Sequence, residues 1–202
     1  KPYLITEFGP ALPYECAKDA NGRPRELEDY QKAMLYRDLN KQIAGFKGDN
    51  LGGFAFHLGE TTQDSMSWWN INQGNRRRQS FWAIYQDYTG LKAPYSAPKL
   101  KKLTVAKVNG LQPDETVEVQ IELKQPDAAG LTYDWRLSTA VEGVLEYYVN
   151  RFIDTGIESQ GPRASVRMPD KAGIYRLYCF VTDGAGNVSS LNTTLNVAGS
   201  QK

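Results

Sequence analysis

The chain has 202 residues, with 24 Lys plus Arg against 23 Asp plus Glu and a formal charge of +1, which removes any bulk electrostatic attraction to nucleic acid or to an anionic membrane. Hydrophobic residues make up 41% of it and the mean hydropathy of -0.54 shows them dispersed. That is enough for packed cores, with no run that would insert in a bilayer.

Tyr3, Leu4 and Ile5 form a short apolar run that ends at Glu7 and the breakers Phe8-Gly9-Pro10, which predicts a strand entering a loop. Between Glu26 and Phe46, Leu27, Tyr30, Met34, Leu35, Leu39 and Ile43 recur at three- and four-residue steps, the pattern of an amphipathic helix stopped near Gly45. Asn50 to Leu58 is a second apolar run without alternation, as in a strand covered on both faces. A polar loop follows from Gly59 to Asn75. Phe81, Ile84, Tyr85 and Tyr88 then share one helical stripe that Gly90 ends.

Strand, helix, strand, helix is the order of α/β architecture. The expected fold class is therefore multi-domain, α/β plus all-β: βα units over 1–91, a linker at 92–98, an immunoglobulin-like β-sandwich over 99–198 and a tail at 199–202. The linker contains Ala93-Pro94-Tyr95-Ser96-Ala97-Pro98, and helical periodicity ends with it. Val117, Val119, Ile121 and Leu123 alternate with Glu118, Gln120 and Glu122, a half-buried strand. Further strands are expected at 103–108, 131–137, 144–152, 164–168, 174–182 and 189–197. Seven short strands in about 100 residues fit a sandwich of immunoglobulin type. Trp135 and Cys179 stand where that fold puts its central Trp and second core Cys. The strand at 117–123 has no Cys, so Cys179 is expected as a buried free thiol, unpaired with Cys16.

In parallel βα arrays the carboxyl ends of the strands share one face, and sites are built there. Glu7 ends the first strand, His57 lies on the second, and Glu60, Asp64, Trp68 and Trp69 follow it. A carboxylate beside indole faces suits a sugar, which the first can attack and the second can stack against. The plainer alternative makes Glu7 a loop-entry carboxylate and the tryptophans packing. Lys1-Pro2-Tyr3-Leu4-Ile5-Thr6-Glu7-Phe8-Gly9 resembles the seventh-strand signature of the retaining (β/α)8-barrel glycoside hydrolases, the cellulase-like and β-galactosidase-like superfamily. Leu51 to Glu60 with Ser67-Trp68-Trp69 is similar to the eighth strand and its Trp-bearing loop.

That resemblance implies that residues 1 to about 98 are the last two βα units of such a barrel, with an appended sandwich. It implies Glu7 as nucleophile and Trp68, Trp69, Glu60 and His57 as substrate-binding residues, acting on the O-glycosidic bonds of a polysaccharide by hydrolysis or transfer. It implies no cofactor and no metal, and an extracellular, periplasmic or cell-surface setting. The acid/base of that superfamily comes from a fourth strand absent from these 202 residues, and retention needs two carboxyls about 5 Å apart. The chain alone is thus expected to be inactive, a piece of a longer protein that requires an upstream barrel half. Leu58 stands where many relatives carry a Trp.

The alternative is a non-catalytic carbohydrate-binding or spacer module on a degenerate barrel, with Tyr133, Tyr147, Tyr148, Tyr175 and Tyr178 as platform candidates. His57 reads also as a core group. Arg76-Arg77-Arg78 suggests phosphate binding, but three arginines in a neutral chain read first as a solvated face, and cations at a helix start oppose its dipole. Asp183-Gly-Ala-Gly-Asn187 reads as a hairpin turn before a calcium loop. Asn187-Val-Ser and Asn192-Thr-Thr match glycosylation sequons.

Overall fold

The computed structural model describes residues 1–59, 67–125, 130–140 and 152–199. In chain order these form β1 (Tyr3–Phe8), a 3-10 turn (Pro13–Glu15), α1 (Asp29–Ala44), β2 (Asn50–Ala55), β3 (Asn72–Gln73), β4 (Arg76–Arg77) and α2 (Gln79–Thr89). The sandwich follows: β5 (Leu100–Val105), β6 (Thr116–Leu123), β7 (Thr132–Thr139), β8 (Phe152–Ile153), β9 (Ile157–Gln160), β10 (Arg163–Arg167), β11 (Gly173–Thr182) and β12 (Val188–Val197).

The sandwich has two four-stranded sheets, ordered β5-β6-β10-β9 and β12-β11-β7-β8. Alternation sends Val117, Val119, Ile121, Ala164 and Val166 of one sheet against Trp135, Leu137, Leu177, Cys179, Val181, Leu195 and Val197 of the other. Trp135 and Cys179 are direct cross-strand partners, and Cys179 is a free, buried thiol. The strand expected at 144–152 lies outside the described residues except Phe152, which opens β8.

β11 is buried on both faces. Leu177, Cys179 and Val181 enter the core between the sheets, whereas Tyr178 and Phe180 form a separate cluster with Val188 and Phe152 on the outer face. What covers that outer face is the N-terminal segment. Its residues descend the sheet in order: Asn21 and Asp19 bond Thr194, the Pro24 carbonyl accepts from Arg176, Glu26 accepts from Tyr178, and Asp29 accepts from the Ser190 N–H.

The expectation of two barrel βα units is overturned. β1 and β2 are parallel and flank α1, but their sheet has two strands only, and two four-stranded β-sheets dominate the described residues, which carry just two α-helices. The architecture is that of a β-sandwich with the N-terminal elements laid against one sheet. Periodicity reports the type of each element and not how many strands a sheet gathers, and that is where the expectation failed. Nor is β2 covered on both faces: Ile5, Phe8 and Ile43 crowd Gly53, while Leu51 and Phe54 are 70% and 60% exposed. The helices fall within the expected spans. α1 opens with the Glu28 N–H donating to the Gln31 side chain, and α2 ends on Gly90, whose φ of 70° is left-handed.

Candidate functional site

Parallel pairing of Phe8 with Ala55, continued by the Phe56 N–H donating to the Phe8 carbonyl, brings Glu7 and His57 to the same end of the small sheet. Glu7 is exposed there. His57 is half-buried. Burial lowers its pKa, a backbone hydrogen bond at Gly59 opposes that, and its buried Nε2 has no hydrogen-bond partner among the described residues. Trp68 and Trp69 are only 2% and 3% exposed. They pack with Leu12, Cys16 and Phe56, and the Trp69 Nε1 donates to the Pro10 carbonyl. Both indoles are therefore core, and neither presents a face on which a sugar can stack. Glu60 lies outside the described residues.

The most concentrated chemistry is at the junction between the N-terminal segment and the sandwich. Lys32, buried at the start of α1, donates to Glu26 Oε1 at 2.7 Å and to the Ser67 carbonyl at 2.6 Å. Glu26 also accepts from the Ser67 hydroxyl and, at 2.8 Å, from the Tyr178 hydroxyl. Burial alone would raise the Glu26 pKa, but the charges of Lys32 and Arg176 and the hydrogen bonds from Lys32 and Ser67 more than offset it and hold the carboxyl below its ordinary range. One turn on, Arg78 pairs with Asp29 at 2.6 Å and reaches the Ser190 hydroxyl. Two buried acids, each with a buried cation and a sandwich partner, thus join the two parts.

The arginine run is a solvated face only at Arg76. Arg77 lies over Phe81 and Trp82, and Arg78 is fully buried. The 183–187 loop is a turn: the Asp183 carboxylate accepts from Ala185 N–H, Asn187 N–H and the Asn187 amide. That turn also latches to α2, since Trp82 Nε1 donates to Asn187 Oδ1 at 2.8 Å. Asn187 is fully buried, so its sequon is closed in the fold. Of the junction residues, Tyr178, Arg78 and Ser67 were read from sequence in other roles, and Asp29, Lys32 and Arg176 were not singled out. A signal existed in Arg176, a charge inside an otherwise near-continuous apolar strand, and in Glu26, Asp29 and Lys32 at helical three-residue steps.

Of the platform candidates, Tyr175 and Tyr178 are buried and Tyr133 packs at the core edge, while Tyr147 and Tyr148 lie outside the described residues. Two clefts open along the junction instead. One of about 570 Å³ is lined by Glu28, Tyr30, Gln79, Ser96, Lys99 and Ser189 with their neighbours. One of about 690 Å³ is lined by Cys16, Asp19, Asn21, Arg176 and Asn192 with theirs. Among the described residues no group of three His, Cys, Asp or Glu is arranged to hold a metal ion, and no helix is long and apolar enough to cross a membrane.

No protein-family model matches the sequence, and no curated protein matches it. Similar solved structures include β-sandwich carbohydrate-binding modules of promiscuous specificity, at 22% identity and a TM-score of 0.34 over 52% of this chain and 36% of theirs. They also include PcoC, a methionine-rich copper resistance protein from Escherichia coli, at 14% identity and a TM-score of 0.33 over 51% of this chain and 100% of that one. A conjugate transposon protein from Bacteroides vulgatus has 15% identity and a TM-score of 0.27 over 54% of this chain and 92% of that one. This chain spans about a third of the length of the first of them. Likenesses this distant carry no function across.

Proposed function

We propose that the chain is a non-catalytic carbohydrate-binding or spacer module, with residues 1–91 and 99–198 joined through 92–98 and acting as one rigid piece. The supporting observation is the burial of the outer face of β11 under the N-terminal segment, through Arg176, Tyr178 and Phe180. A sandwich on a free linker would leave such a face wet and polar; here it is spent on fixing an angle. The site expected for catalysis is less supported, because the two indoles meant to hold the sugar beside Glu7 are core residues. On this reading the partner is a polysaccharide and the setting lies outside the cytoplasm.

Cleavage of the linker tests the rigid piece, since aryl glycosides would stay intact on either reading of a chain that lacks the second carboxyl. With a protease site placed within 92–98, the two cut parts are expected to co-elute and to melt in one transition. Parts that separate on cutting would overturn the proposal.

A further inference from the structure

We infer, on the binding-module reading above, that the 570 Å³ cleft at the junction is a saccharide site and that Tyr30 is its aromatic platform. Its size falls within the about 300–1,000 Å³ typical of small-ligand sites. Tyr30 is 68% exposed, a large ring kept out of the core at the mouth of a cleft. Its backbone is anything but loose. The neighbouring Asp29 is buried, pairs with Arg78 at 2.6 Å, and accepts from the Ser190 N–H at 2.7 Å. A ring with two side-chain torsions on a backbone pinned at the adjacent residue loses little freedom on binding, which favours a stacking partner.

The rest of the lining supplies what a polyol needs. Gln79 and Ser189 are polar groups on the walls, and Ser96, Glu28 and Lys99 stand exposed at the rim. Donors and acceptors of both kinds thus surround one aromatic face, the usual composition of a site with an apolar floor and a few orienting polar groups. The Asp29 charge is already matched by Arg78, which leaves Glu28, Lys99 and Lys124 as the other charged side chains of the lining. The cleft then tolerates a uronate as well as a neutral sugar. The 690 Å³ cleft has no aromatic side chain in its lining and lacks the platform.

The test is affinity electrophoresis of the full chain through gels containing neutral β-glucan, galactomannan, arabinoxylan or polygalacturonate, followed by calorimetric titration with oligosaccharides of whichever retards it. At least one glycan is expected to retard the chain, and Tyr30→Ala to weaken that binding at least tenfold with an unchanged melting temperature. Tyr14→Ala, at an exposed tyrosine of the 3-10 turn, is the control expected to bind like the parent. Retardation by none of the four overturns the cleft and leaves the spacer role standing. Binding that survives Tyr30→Ala also overturns the cleft, while keeping a binding module whose site lies elsewhere.

Discussion

Glu26→Gln is the sharpest probe of the junction, because it removes one charge and little volume. Lys32 is left with its side chain 2% exposed and its ammonium bonded to the Ser67 oxygens and a neutral amide, while the nearby Asp29 charge is already matched by Arg78. Breaking one side of a buried ion pair costs about 3–5 kcal/mol, against a total stability of about 5–15 kcal/mol for a folded chain. At about 2–4 °C per kcal/mol for a chain of this length, the melting temperature should fall by roughly 6–20 °C. Calorimetry reads the fall, and amide hydrogen exchange followed on α1 and on β12 reads its reach. Both elements should lose protection together, since Glu26 bonds Lys32 of α1 and also Tyr178 of β11, the cross-strand partner of Asn192 in β12. The double change Glu26→Leu with Lys32→Met should recover most of the loss, because an apolar pair of similar volume has no charge to desolvate. A Glu26→Gln variant within about 0.5 kcal/mol of the parent would refute the reasoning. So would one in which α1 opens while β12 keeps its parental protection.

The same carboxylate sets an acid limit. Its pKa is lowered in the fold, so its contribution is complete above the ordinary value of about 4.3 and is lost as pH falls through the lower folded value. The stability gap between the parent and Glu26→Gln, measured by urea titration, should therefore narrow on acidification from pH 6 to pH 3. Thiol labelling separates the cysteines. Burial and then the Asp134 charge push the Cys179 thiol far up, while burial, Glu15 and Glu26 raise Cys16, opposed by Lys32. Native protein should take up one iodoacetamide, at Cys16 and faster at pH 9 than at pH 7, with Cys179 reacting only after unfolding. Leu51 and Phe54 leave an apolar patch on β2, so Leu51→Lys with Phe54→Lys should reduce self-association in sedimentation and change stability by less than about 0.5 kcal/mol.

Local features were the legible ones. The alternation of Val117 to Leu123 became β6, the stripe at Phe81 to Tyr88 became α2, and Gly90 stopped it in a left-handed conformation that its lack of a Cβ allows. Trp135 and Cys179 meet in the core as their positions suggested. What stayed hidden depends on residues far apart in sequence. Trp68 and Trp69 read as sugar-facing because they follow a strand end, yet Leu12, Cys16 and Phe56 close over them. Arg78 read as solvated as one of three successive arginines at a helix start in a neutral chain, yet its acid, Asp29, lies 49 residues upstream. The barrel expectation failed for a related reason. A strand and a helix repeated twice specify a βαβα order, but neither periodicity nor spacing says that the apolar outer face of a later sheet will take the place of further strands.

The polar character of the junction bears on what it fixes. An apolar interface alone would allow the N-terminal segment to slide along the sheet, since hydrophobic contact has no direction. Hydrogen-bonded acids do not allow it. Arg176 pairs across the sheet with Thr194, Tyr178 with Asn192 and Phe180 with Ser190, so the bonds from residues 19–21, 24, 26 and 29 occupy three successive levels of one face. Those levels span about 13 Å, from four residues of strand at roughly 3.3 Å each. A slip of one level would leave Glu26 and Asp29 facing the wrong donors, with Lys32 and Arg78 carried along as buried charges. Each such loss costs more than the pair contributes when made. The junction is thus better suited to choosing one arrangement of the two parts than to holding them together strongly, which is the property a fixed-angle module requires.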